Sequence, residues 1–163
     1  MRISIITPSL NQAPFLQETI DSVLSQNNDN LQYIIIDGGS YDNSRDIIEE
    51  YDQHLDYWVS ESDEGQSHAI NKGLRRITGE VINWLNSDDY YEPNALQKVS
   101  DTFSDGITGV GDRSRLFNER GTVKHSRGTD IYQGNLSKTI GWARIDQPET
   151  FFRKEVWDKV GLL

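Results

Sequence analysis

Val81-Ile82-Asn83-Trp84-Leu85-Asn86-Ser87-Asp88-Asp89 decides the fold. A mostly apolar run of strand length stops in a polar turn carrying two adjacent carboxylates. Such a run reads as a strand covered on both faces, which is the habit of parallel sheets in α/β proteins. In open α/β sheets, ligands bind beyond the carboxyl ends of the strands. Hard divalent cations take oxygen ligands of this kind and often bridge a carboxylate to a phosphate. The stretch therefore points to a metal-assisted nucleotide site, against the plainer reading of a solvated turn.

Three earlier segments repeat the pattern. Ile3-Ser4-Ile5-Ile6-Thr7 is a strand followed by the polar loop Thr7-Pro8-Ser9-Leu10-Asn11. Leu31 to Ile36 is a second strand, ended by Asp37-Gly38-Gly39-Ser40, and Tyr57-Trp58-Val59 is a third, ended by Glu61-Ser62-Asp63-Glu64-Gly65. Helices are expected between them. Pro14 suits the first turn of a helix that runs from Phe15 to about Gln26 with Leu16, Ile20, Val23 and Leu24 on one face. A second starts near Asn43, a third spans Gln66 to Ile77 with Gly79 ending it in a left-handed turn, and a fourth opens at Pro93. The order β-α-β-α-β-α-β-α predicts a mostly parallel sheet in a three-layer α/β/α, Rossmann-like arrangement. Further strands are expected around Ile107 to Val110, Thr122 to Lys124 and Thr150 to Phe152, with a short helix over Lys154 to Val160.

The chain of 163 residues fits one domain over 1–163. It stops in the apolar Gly161-Leu162-Leu163, so the domain is expected to be incomplete at its C-terminus. With 26 acidic against 16 basic residues the net charge is −10, which argues against a nucleic-acid surface. Cysteine is absent, which excludes disulfides and thiolate metal sites and fits a reducing cytoplasm. No apolar run is long enough to span a bilayer, and the first strand begins too early for a leader.

Each polar loop has a chemical and a structural reading. The glycines after Asp37 permit close backbone approach, and Asp37 is expected to accept a hydrogen bond from a base or ribose, while Asp42, Asn43 or Ser44 caps the next helix. Thr7, Pro8, Ser9 and Asn11 can wrap a base or ribose. Asp63 can meet base or ribose, and Lys72 in Asn71-Lys72-Gly73 can meet phosphate. Against them stand an ordinary β-α loop, a helix N-terminal acid cluster and a surface lysine. His68 is expected to be an exposed helix residue. No G-x-G-x-x-G follows the first strand, and the sequence has neither a P-loop nor a G-x-S-x-G elbow.

Taken in order, Ile3 to Asn11, Asp37 to Ser44, Asp63-Glu64-Gly65, Asn71-Lys72-Gly73, Leu85 to Asp89 and Gln147-Pro148-Glu149-Thr150-Phe151-Phe152-Arg153 resemble family-two glycosyltransferases of the GT-A fold. The resemblance implies an enzyme that transfers a sugar from a nucleoside-diphosphate sugar, with UDP favoured, to a glycan or lipid-linked acceptor with inversion. It implies that Thr7, Pro8, Ser9, Asn11, Asp37, Gly39, Asp63, Lys72, Asn86 and Asp88 surround the nucleotide. Asp88 and Asp89 become the acidic motif for Mn²⁺ or Mg²⁺, with Asp89 preferred. It places the general base in the second half of the family's domain; Asp146 and Glu149 are the nearest acids in this chain. A role in polysaccharide biosynthesis at the inner face of the membrane is the setting it suggests, with self-association through any uncovered apolar face. A non-catalytic nucleotide-sugar-binding module on the same fold is the alternative. A nucleotidyltransferase is a third, disfavoured because Thr7 to Asn11 is neither Gly-rich nor basic.

Overall fold

Isoleucine-rich strands set the architecture. The computed structural model describes residues 1–111, 113–117, 124–125 and 147–163. Among them β1 (Ile3–Ser9), β2 (Leu31–Asp37), β3 (Tyr57–Ser60) and β4 (Val81–Trp84) lie parallel in the order β3-β2-β1-β4. The sheet continues through β8 (Thr150–Arg153) to β5 (Gly109–Gly111), and both pairings made by β8 are antiparallel. A separate two-stranded ribbon pairs β6 (Arg115–Leu116) with β7 (Lys124–His125). Of the strand expected over Thr122 to Lys124, only Lys124 falls within the described residues.

Both faces of the sheet are covered, which is why its central strands are apolar without alternation. Ile3, Ile5, Tyr33 and Ile35 pack against α1 (Ala13–Leu24), α2 (Ser44–Glu50) and α4 (Ala95–Thr102), through Leu16, Ile20, Val23, Ile48, Leu96 and Val99. On the opposite face Ile6, Ile34, Ile36 and Ile82 meet Ala69, Ile70 and Leu74 of α3 (Gln66–Leu74) and Trp157 of α5 (Lys154–Val160). The three-layer α/β/α fold read from the sequence is the one observed. Each of the six isoleucines of β1 and β2 is wholly buried, and each such side chain contributes about 1.5–3 kcal/mol of transfer free energy.

Helix α3 ends at Leu74, short of Ile77, and Gly79 does not terminate it in a left-handed turn. The cause lies in the sheet. Gln32 accepts the Thr78 N–H at 2.7 Å and donates to the Arg76 carbonyl at 3.1 Å, while Ser4 Oγ accepts the Gly79 N–H at 2.9 Å. These buried amide and hydroxyl groups draw the chain out of the helix. Gly79 is needed for close approach: a Cβ there would stand 2.6 Å from Ser4 Oγ and 2.9 Å from the Arg2 carbonyl oxygen. Gly73 plays the same part between α3 and the sheet, where a Cβ would stand 2.6 Å from Ile6 Cγ2.

Register then prepares the site. Ser9 lies opposite Asp37, and Asp37 opposite Ser60. Three polar strand ends are thus aligned along one edge, next to the turn after β4, whose Leu85 N–H bonds the Ile6 carbonyl.

Candidate functional site

The loops at this edge are built on Asp37. It is wholly buried. Its Oδ2 accepts from Ser60 Oγ (2.6 Å) and from the backbone N–H groups of Ser40 (2.9 Å) and Gly39 (3.2 Å), and its Oδ1 accepts from Ser40 Oγ (2.5 Å). Gly39 has φ +85°, and a Cβ on it would press against the Ser62 backbone at 3.1 Å. Where a base or ribose was expected opposite Asp37, the structure shows these internal partners. Its acceptor capacity is spent holding two loops together, and Gly39 serves that turn.

Asn11 and Thr7 are turned inward in the same way. Asn11 takes φ +54°, donates its N–H to Ser40 Oγ (2.7 Å), and accepts the Tyr41 N–H (3.0 Å). Thr7 Oγ1 meets Tyr33 OH at 3.1 Å in the core. Asp42 accepts the Ser44 N–H at the start of α2 (2.9 Å) and also the Ala13 N–H at the start of α1 (3.0 Å), while the N-cap position of α2 is Asn43, whose side chain makes no cap bond. Lys72 does not reach the same space. Its Nζ pairs with Glu61 at 2.9 Å in a separate cleft with Tyr57, Arg75 and Arg76. His68 is half-buried and accepts the Glu64 N–H on Nδ1 at 3.0 Å.

What the fold does bring together is a cleft of about 320 Å³. Pro8, Ser9, Leu10 and Gln12 from the first loop line it with Asp63, Gln66 and Ala69 from the third and Asn86, Ser87 and Asp88 from the fourth. Gln66 and Gln12 were not singled out by sequence reasoning. Gln66 Nε2 donates to Asn86 Oδ1 at 2.8 Å, and Asn86 Nδ2 donates to Asp89 Oδ2 at 3.1 Å. Asn86 thereby links the floor of the cleft to the acidic pair.

The two aspartates face different spaces. Asp88 is exposed and lines the cleft, whereas Asp89 is half-buried and lines a larger cavity of about 500 Å³ with Tyr91, Val99, Arg115, Glu149 and Phe151. Both border a third hollow of about 290 Å³ beside Phe15 and Phe117. Burial raises the Asp89 carboxyl above the usual carboxylate range, the Asp88 charge adds to the rise, and the Asn86 amide opposes it. The turn is anchored by polar groups on α1 and just after its end. Thr19 Oγ1 donates to the Asp89 carbonyl (2.8 Å), Ser22 Oγ accepts the Tyr91 N–H (3.1 Å), and Gln26 bonds both the Glu92 carbonyl (3.1 Å) and the Leu96 N–H (3.2 Å). Helical spacing of apolar residues gave no hint of these anchors.

The Asp88 charge beside the half-buried Asp89 carboxyl makes a region of negative potential that a hard cation relieves. Among the described residues no group of three His, Cys, Asp or Glu side chains is placed to hold a metal ion. The donor set thus suits an ion that completes its shell with water and substrate phosphate, as Mg²⁺ commonly does. Glu149 is buried and lines the same cavity as Asp89, and Asp146 lies outside the described residues. Among the described residues no helix is long and apolar enough to cross a membrane.

Comparison with known proteins agrees with the fold. The family model of glycosyl transferase family 2 matches residues 4–160. An uncharacterized glycosyltransferase of Nostoc sp. is 29% identical over 171 aligned positions, which cover 98% of this chain and 53% of the relative. The chain thus spans about half the length of that relative. A mannosyltransferase of Pyrobaculum calidifontis, solved with GDP-Man and Mn²⁺, superposes with a TM-score of 0.72 at 20% identity, over 99% of this chain and 47% of the other. The S. aureus protein TarS (residues 1–349), solved with UDP-GlcNAc, gives 0.66 at 20% identity, over 98% and 47%. At such identities the likeness is one of fold.

Proposed function

The chain belongs to glycosyl transferase family 2, and from that premise we propose that it carries the donor site of a glycosyltransferase using a nucleoside-diphosphate sugar. The observation that supports this most is the cleft at the carboxyl ends of β1, β3 and β4, with Asp88 on its wall and Asp89 beside it. In this reading the nucleoside lies along Pro8, Ser9 and Asp63, and the diphosphate reaches Asp88. Asp88 and Asp89 would hold Mn²⁺ or Mg²⁺, which when bound supplies Lewis acidity to the departing diphosphate. Asn86 sets the orientation of Asp89, and Gln66 sets that of Asn86. Lys72, paired with Glu61, takes no part.

The acceptor hydroxyl would approach from the larger cavity on Asp89's side, opposite the donor, as an inverting displacement requires. The solved neighbours with GDP-Man and with UDP-GlcNAc support a nucleotide-sugar donor. The acceptor class is a glycan or lipid-linked glycan, handled on the cytoplasmic side of a membrane during polysaccharide assembly.

The test is thermal stabilisation by nucleoside diphosphates with and without Mn²⁺. A ligand at a hundred times its Kd adds about 2.7 kcal/mol, and a domain of this size gains about 2–4 °C per kcal/mol. The reading therefore expects a metal-dependent rise of roughly 5–11 °C. Well-folded protein whose melting point no nucleotide moves would contradict it.

A further inference from the structure

Lys72, Arg75 and Arg76 stand at i, i+3 and i+4 around the C-terminal end of α3. They line a cleft of about 340 Å³ with Tyr57, Val59 and Glu61. The chain carries a net charge of −10, yet this lining sets three cations against one acid. Glu61 pairs with Lys72 at 2.9 Å. Neither guanidinium has an acidic partner among the described residues. One cation is enough to complement the carbonyls at a helix end, and like charges at this spacing repel one another. The fold alone does not call for three.

Their placement is fixed from below. The Arg76 carbonyl accepts from the buried Gln32 amide at 3.1 Å, and the Arg76 N–H bonds the Gly73 carbonyl at 2.8 Å. The Arg76 guanidinium lies over the Tyr57 ring, 4.4 Å from its centre, a contact that uses none of its N–H donors. The Lys72 side chain is only 17% exposed, and its Nζ also donates to the Ser62 carbonyl at 3.4 Å. Both arginines are exposed and open to a ligand.

We propose that this cleft binds a phosphate group, independently of the donor cleft. Two guanidinium forks and an ammonium outweigh the single carboxylate by two charges, which a phosphate dianion meets and a carboxylate only halves. The protein's own cations supply the attraction, so binding here needs no metal. The donor cleft is the opposite case, because its aspartates repel phosphate unless an ion lies between. The two clefts share one loop, with Glu61 lining this one and Asp63 the other. Glu61 already holds Lys72 and competes with the incoming anion, so removing its charge strengthens binding. Inorganic phosphate and the monoester headgroup of phosphatidic acid both present the group in question.

The experiment is calorimetric titration of the 163-residue chain with sodium phosphate, in EDTA, at constant ionic strength and mildly alkaline pH. Beside it stand Arg75→Gln, the double variant Arg75→Gln/Arg76→Gln, Glu61→Gln and Asp88→Asn. Co-sedimentation of the same proteins with phosphatidylcholine vesicles, with and without phosphatidic acid, forms the second arm. Circular dichroism confirms that each variant is folded, and Arg75→Gln, which removes an exposed side chain, serves if the double variant is not. The proposal expects saturable phosphate binding, or sedimentation that requires phosphatidic acid. It expects Arg75→Gln to weaken either about tenfold, Glu61→Gln to strengthen it, and Asp88→Asn to leave it unchanged. Phosphate binding identifies a site for the free ion; sedimentation without it identifies a lipid headgroup. No binding in either arm overturns the proposal. So does binding that survives in the arginine variants, or that Asp88→Asn removes. The donor-site reading is tested by nucleotide and Mn²⁺ and stands or falls separately.

Discussion

Replacing Asp37 with asparagine is expected to cost about 2–3 kcal/mol of stability while leaving the donor cleft able to bind. Four donors converge on this buried carboxylate, three of them on Oδ2. Asparagine can keep its oxygen on those three, and the Ser40 hydroxyl can turn to accept from the new NH₂. The number of hydrogen bonds is then preserved and only the charge is lost. A bond to a charged acceptor contributes about 1.5–3 kcal/mol and a neutral one about 0.5–1.5, so four bonds lose roughly 4 kcal/mol. Relief from burying a charge returns part of that. The melting point should fall by roughly 4–12 °C for a domain of this size. Urea unfolding followed by circular dichroism gives the free energy, with an unchanged slope showing that the folded state is equally compact. Nucleotide affinity, measured below the new midpoint, should hold. A stability change below about 1 kcal/mol together with a large loss of nucleotide affinity would refute the reasoning, because Asp37 would then be meeting ligand.

Other consequences follow from the same structure. Gly73→Ala places a methyl 2.6 Å from Ile6 Cγ2 and should destabilise by about 1–3 kcal/mol through overpacking, measurable in the same urea titration. Burial holds the Tyr33 and Tyr91 hydroxyls neutral well above the ordinary tyrosine range. Their raised folded-state values mean that stability is complete below about pH 10 and falls as pH rises beyond it, by up to about 1.4 kcal/mol per pH unit for each tyrosine. Tyr91→Phe should make that alkaline slope shallower, and it also removes a buried hydroxyl that has no partner among the described residues. Asp89→Asn should raise the melting point of the metal-free protein at neutral pH, where the raised carboxyl is ionised at a cost, and give no gain below the ordinary carboxylate range. Lys72→Met should leave nucleotide affinity unchanged in a direct titration, since that lysine is paired with Glu61.

The fold was legible because apolar runs and their punctuation carry it. Isoleucine without alternation in β1 and β2 signals a doubly covered sheet, and the alternation of strands and helices leaves few topologies. The helix end at Leu74 was not legible, because Gln32 and Ser4, distant in sequence, decide it. The same limit governed the site. Adjacent acids after a strand can be read as Asp88 and Asp89 were. Sequence cannot say which of several strand-end aspartates is spent on the protein itself. Asp37 and Asp63 stand at strand ends in similar settings, yet Asp37 is enclosed by four donors and Asp63 accepts only the Gly65 N–H among the described residues. The anchors Thr19, Ser22 and Gln26 carry no signal in the helical spacing of apolar residues, because their partners lie about seventy residues away.

The central claim is a donor site in which Asp88 and Asp89 share a divalent ion with a nucleoside diphosphate. The most direct measurement is the free Mn²⁺ signal in electron paramagnetic resonance, titrated with the chain and UDP or GDP, beside Asp88→Asn and Asp89→Asn. The account predicts that the chain and nucleotide together deplete free Mn²⁺ beyond what the nucleotide does alone, and that either substitution abolishes the extra depletion. An original chain that adds nothing to the nucleotide's own Mn²⁺ binding, or variants that deplete the ion equally well, would contradict it.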